Sequence, residues 1–195
     1  LLTFCEHSVK RLICRTMQSD AQPHCAEPDV TDMMDAEIHS SKGTKMTDRV
    51  ILQREFSELM NGLHGSILKY ATDRAEHHQC EVYLCVNNKS HCDQILERIF
   101  DKRVVNKLKS NQVISVNGRK LSLYSPLTLN KSYLPEAVYL LMFPSPKLLK
   151  SVENQASLNP AHEIIVFTES DGHTEATDNW MSEHEVRTLG TGKTA

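Results

Sequence analysis

Val138 to Phe143 is an unbroken run of six apolar residues, bounded by Pro135 before it and Pro144 after it. A run of this kind suits a strand covered on both faces, as in a parallel sheet packed between helices. Ser145 follows, with a hydroxyl suited to accept a backbone N–H at a helix start. Pro146 fits the first helical position, where its missing N–H costs nothing. Leu148, Leu149 and Val152 continue as a helical apolar stripe. A strand feeding directly into a helix is half of a βαβ unit, and helix N-termini attract anions.

The same logic recurs upstream. Glu81 to Val86 reads as a strand, Asn87-Asn88-Lys89 as its turn, and Ser90 as a helix start with Asp93 completing an S-x-x-D capping pattern. Glu163 to Thr168 is a third strand-like run, followed by a turn at Glu169-Ser170-Asp171-Gly172. Gln112 to Tyr124 carries Asn117-Gly118 at its centre, the dipeptide preferred in a two-residue β-hairpin because both turn residues need positive φ. That turn pairs Val116 with Arg119 and Ile114 with Leu121, and the mixed polarity of the two faces places the hairpin at a sheet margin. Together these segments predict an α/β fold: a Rossmann-like, mainly parallel sheet of about five strands flanked by helices, with an inserted Asn-Gly β-hairpin.

Two further segments are read as helical. Leu52, Phe56, Leu59, Met60, Leu63, Ile67, Tyr70 and Ala71 recur at three- and four-residue steps, which predicts an amphipathic helix over residues 48–76. Gly62 and Gly65 each cost such a helix roughly 1 kcal/mol relative to alanine, so a kink near Asn61-Gly62 is expected. Its apolar stripe either packs on the sheet or forms a homodimer face. An acidic helix is expected from Glu175 to Leu189, anchored by Trp180 and ended by Gly190.

These elements give a domain plan: an extension over 1–45, one α/β domain over 46–173, and an acidic helix and tail over 174–195. The first 45 residues show poor periodicity, and the 20–35 stretch is acidic and weakly apolar, which favours disorder. The extension is therefore either a flexible arm or non-native upstream sequence. In the second case Met46 is the start, and Lys42-Gly43 is encodable by a purine-rich ribosome-binding stretch of the bacterial type.

Charge is distributed unevenly. The formal net charge is −3, with a mildly basic middle and an acidic tail. Arg98, Lys102, Arg103, Lys107, Lys109, Arg119 and Lys120 fall in one stretch with a single acid, Asp101. Such a strip can meet phosphate or serve as a solvated face. No aromatic residues are interleaved with it to stack bases. No window is long and apolar enough to span a membrane, and Glu6, His7, Lys10 and Arg11 interrupt any signal-peptide core, so a cytoplasmic location is expected. The six cysteines include no C-x-x-C pair, and no disulfide framework is expected. His77, His78, Cys80, Cys85, His91 and Cys92 lack the close paired spacing of a zinc site.

Motif chemistry is sparse. The tail Gly190-Thr-Gly-Lys-Thr lacks the leading glycine of a phosphate loop, since position 187 is Arg. There is no G-x-G-x-x-G, G-x-S-x-G or H-E-x-x-H, and the motifs leave any cofactor unknown. What remains is position: parallel strands gather their carboxyl ends on one edge, where ligands of open α/β sheets bind. That edge would carry Asn87, Asn88, Lys89, Ser90, Ser145 and Lys147 as ligand contacts. Ser90 and Ser145 also read as plain caps, and the lysines as surface charges. The expectation is a non-catalytic binding module for an anionic ligand (nucleotide or nucleic-acid backbone) or for a protein partner. The alternative is a small Mg-dependent phosphate-handling enzyme, with Glu169 and Asp171 as metal ligand or general base.

Overall fold

The computed structural model describes residues 46–131, 133–159, 161–171 and 174–190. The 1–45 extension and the 191–195 end of the tail lie outside them. The chain begins with β1 (Asp48–Arg54), α1 (Phe56–Glu58), a π-helical turn (Leu59–Leu63) and α2 (His64–His77). It continues through β2 (Glu81–Cys85), α3 (Asp93–Leu96) and α4 (Lys102–Lys109). Next come β3 (Ile114–Val116), β4 (Arg119–Tyr124), α5 (Pro126–Leu129), β5 (Ala137–Met142) and α6 (Pro146–Leu158). It closes with β6 (Glu163–Glu169), α7 (Glu175–Glu183) and β7 (Arg187–Thr188).

The strands form one seven-stranded sheet in the order β3-β4-β2-β5-β6-β1-β7. Every neighbouring pair is parallel except β3 with β4. The fold is α/β, with a mixed, mostly parallel sheet between helices. All six residues of β5, at the middle of the sheet, are buried. Alternation along a strand divides them between two cores. Val138, Leu140 and Met142 join Ile67, Leu68, Ala71 and Val105 of α2 and α4 on one face. Tyr139 and Leu141 join Leu148, Leu149, Val152 and Trp180 of α6 and α7 on the other. A continuous apolar run is what two covered faces require. At one edge, β3 and β4 pair Ile114 with Leu121 and Val116 with Arg119. Asn117 and Gly118 between them have φ of 49° and 77°.

The 48–76 segment is not a single helix. Asp48–Arg54 is a strand, and helix starts only at Phe56. Val50, Ile51 and Leu52 are buried because β1 lies between β6 and β7. Leu52 alone fits the helical stripe of Phe56 and Leu59, whereas the consecutive run Val50-Ile51-Leu52 suits a strand covered on both faces, and partner strands decide between them. The homodimer face expected of a 48–76 helix therefore loses its first turns. In α2 itself, Ile67, Leu68, Ala71 and Ala75 are spent on the core. The π-turn, with Gly62 at φ 97°, absorbs the irregularity expected near Asn61-Gly62. The last helix is also shorter than its sequence suggests. It stops at Glu183, and Arg187–Thr188 pairs with Val50–Ile51 of β1. These two additions, β1 and β7, raise the sheet above the expected five strands.

Candidate functional site

Strand order puts a topological switch point between β2 and β5. The chain leaving β2 runs through α3 and α4 toward β4 on one side, and the chain leaving β5 runs through α6 to β6 on the other. Neighbouring strands whose connections diverge leave a gap at their carboxyl ends, the usual ligand position of open α/β sheets.

Asn87, just past β2, spans that gap. Its Nδ2–H donates to the Phe143 carbonyl at 2.7 Å, and its Oδ1 accepts from the Ser145 N–H at 2.7 Å. One amide thus joins the two loops by satisfying a donor and an acceptor of the β5–α6 turn. Phe143 sits there at φ 48°. For a bulky residue this left-handed conformation costs on the order of 1–3 kcal/mol. Its N–H donates to the Phe167 carbonyl at 2.8 Å, and its ring packs edge-on against Phe167 at 5.4 Å. Those bonds and contacts hold the strained turn in place.

Ser145 caps α6 as its sequence suggests: Oγ accepts from the Leu148 N–H at 3.4 Å. Lys147 stands exposed in the first turn of that helix. Ser90 does not begin a helix. α3 starts at Asp93 with Cys92 before it and no side-chain cap. The Ser90 N–H instead donates to Asn88 Oδ1 at 2.8 Å, closing a local turn. Lys89 is half-buried. Its Nζ donates to Asn111 Oδ1 at 2.6 Å and lies 5.7 Å above the Tyr124 ring. Burial lowers its pKa, against the opposing pull of Cys85 and Cys92. The structure therefore brings Asn87 and Ser145 together and places Lys89 against the β4 end. Asn87, Asn88, Lys89 and Ser145 all have roles within the fold.

Glu169 and Asp171 belong to the β1 side of the sheet. Glu169 pairs in register with Arg54, and Asp171 Oδ1 accepts from the Phe56 N–H at 2.8 Å, at the start of α1. Among the described residues no group of three or more His, Cys, Asp or Glu side chains is arranged to hold a metal ion.

His64 is 2% exposed, with its ring 5.0 Å from Phe167 and 6.1 Å from Phe143. Its Nε2 is buried without a hydrogen-bond partner among the described residues. Burial pulls its pKa down, the Arg98 charge adds to this, and a hydrogen bond to the Leu59 backbone opposes both. The ring is therefore held neutral, as an apolar neighbour to two phenylalanines.

Two surface features stand apart from the strand ends. A groove of about 590 Å³ separates α6 from α7, with Glu153 and Trp180 among its lining. Glu153 accepts from Arg49 at 2.9 and 2.7 Å and from Trp180 Nε1 at 2.7 Å. Burial alone would raise the Glu153 pKa, but the bonds from Arg49 and Trp180 outweigh it and hold the carboxyl below the ordinary range. No local pattern connects Arg49 with Glu153, 104 residues apart. The second feature is an open depression along α4, lined by Lys102, Arg103, Asn106, Lys107, Ser110 and Gln112. The basic strip hinted at it, but which of its cations are paired and which are free depends on the fold.

Compared with protein-family models, curated proteins and solved structures, the chain finds no match. Among the described residues no helix is long and apolar enough to cross a membrane.

Proposed function

We propose that this protein is a non-catalytic binding module for an anionic ligand of the phosphate class, seated at the carboxyl edge of a Rossmann-like sheet. The observation that carries the reading is the Asn87 bridge across the β2–β5 switch point. It fixes the N-terminus of the 13-residue α6 beside the β2 loop. A helix of that length presents the positive end of its dipole at Ser145, where Lys147 adds a full charge. Lys89 supplies a second cation from the β2 loop. Asn87 acts as a positioning residue, because both ends of its amide are already engaged. The strained Phe143 turn is in keeping with a ligand-facing loop, where backbone strain commonly collects.

Titration calorimetry with pyrophosphate and with adenosine triphosphate tests this reading. Replacing both cations (Lys89→Ala with Lys147→Ala) is expected to weaken binding by at least about tenfold, equivalent to about 1.4 kcal/mol. Circular dichroism checks that loss of the Lys89–Asn111 bond leaves the fold intact. A folded double variant that binds either probe as tightly as the parent would discard the site.

A further inference from the structure

The α4 flank carries cations that the fold does not use. Lys109 is paired with Asp93 at 2.7 Å, and Lys120 with Glu81 at 3.4 Å. Among the described residues Lys102, Arg103 and Lys107 have no such carboxylate partner. They line the same open depression of about 590 Å³ together with Asn106, Ser110 and Gln112. Each of these six side chains can donate a hydrogen bond, and none is acidic. Asp101, the acid just before α4, is committed to capping it, with Oδ1 accepting from the Val104 N–H at 2.9 Å.

Helix stability does not account for this placement. Lys102 and Arg103 occupy the first turn of α4, where the macrodipole disfavours positive charge. Arg103 and Lys107 stand four residues apart, a spacing at which like charges repel. The helix is anchored by Val105 and Leu108, both fully buried, and of the three cations only Lys107, in the last turn, suits the macrodipole. Lys102 and Arg103, set against the dipole and clustered with Lys107, are explained by an external polyanion.

The lining also narrows the ligand. No aromatic side chain lines the depression, so there is no platform on which an unpaired base can stack. An open surface of donors with no stacking group reads phosphates and not bases. We propose that the outer flank of α4 docks the phosphodiester backbone of a nucleic-acid duplex, without sequence preference. Its lining residues are other than Asn87, Lys89, Ser145 and Lys147, although Lys89 bonds Asn111, between Ser110 and Gln112.

Fluorescence anisotropy with the full chain and labelled duplexes of about 20 base pairs, one DNA and one RNA, provides the test. Three phosphate contacts contribute about −2.7 to the slope of log affinity against log salt on B-form DNA. Replacing all three cations (Lys102→Gln, Arg103→Gln, Lys107→Gln) should remove that part of the slope. The parent should then lose about fortyfold more affinity than the variant between about 50 and about 200 mM salt. Lys107→Gln alone should make the slope shallower by about 0.9. Lys120→Gln, whose charge is already paired, should bind within about twofold of the parent. The DNA and RNA arms show which duplex is preferred. A triple variant with the parent's slope overturns the proposal, as does a parent that binds neither duplex at low salt. Tighter binding of a single strand of the same length overturns the duplex assignment.

Discussion

Glu163 opens β6 with its side chain fully buried, and it is held by groups far away in sequence. Tyr70 donates to Oε1 at 2.8 Å, Arg74 Nε donates to Oε2, and Arg187 stands 3.7 Å from Oε1. The bond to Glu163 is also the main reason the Arg74 pKa is raised. Replacing Glu163 by Gln keeps the volume and removes the charge. A hydrogen bond to a charged partner contributes about 1.5–3 kcal/mol, and breaking a fully buried pair costs about 3–5 kcal/mol. Arg74 is 28% exposed and regains some hydration, which favours the lower range. Glu163→Gln is therefore expected to cost about 2 kcal/mol, a large share of a typical total of about 5–15 kcal/mol. The midpoint of thermal unfolding should fall by about 4–8 °C. Urea unfolding at neutral pH measures the loss, with an unchanged m-value showing that stability alone has moved. A cycle with Arg74→Met should give a coupling of about 1 kcal/mol or more. A loss under about 0.5 kcal/mol, or additive single and double variants, would refute the assignment of Glu163 as the charged hub of this end of the sheet.

Two further tests probe the core. His64 has its pKa lowered, chiefly by burial. The unfolded chain therefore takes up a proton on this ring at a higher pH than the folded one. Stability conferred by neutral His64 is full above the unfolded pKa and is lost as pH falls from about 6.5 toward the folded value. His64→Phe should flatten the urea midpoint against pH between about 7 and about 5, and parallel curves for variant and parent would contradict this. Cys85 is fully buried in β2, and burial pushes its thiol far up. Native-state alkylation read by peptide mass spectrometry should label Cys85 only as fast as the whole domain unfolds. Rapid labelling would mean that β2 is not a covered strand.

The parts of the fold legible in the sequence share a physical property: their signals are local. Val138 to Met142 and Ile164 to Phe167 are continuous apolar runs because each strand faces a core on both sides. Ser145-Pro146 announces α6 because capping involves only the next few residues. Misreadings arose where a local pattern had two solutions. Leu52 continues a helical stripe with Phe56 and Leu59, yet it belongs with Val50 and Ile51 to a strand, and pairing with β6 and β7 settles the matter. Arg187–Thr188 is too short and too exposed to read as a strand, and becomes one only beside β1. Ser90 resembled a cap, but Asn88 took its N–H and the helix began at Asp93.

The candidate site divides in the same way. Periodicity, turn residues and charge placed Asn87, Lys89, Ser145 and Lys147 near strand ends. The sequence alone determined that much, because side-chain alternation and capping act over a few residues. Tertiary structure decided the rest. It brought Asn87 onto the Phe143 and Ser145 backbone, 56 and 58 residues away. It buried Glu163 against Arg74, 89 residues away. It paired Lys109 and Lys120 with Asp93 and Glu81, leaving Lys102, Arg103 and Lys107 without carboxylate partners among the described residues. Whether a polar group becomes a cap, a buried hub or a free charge depends on what the chain places opposite it, and that is settled only when the strands take their order in the sheet.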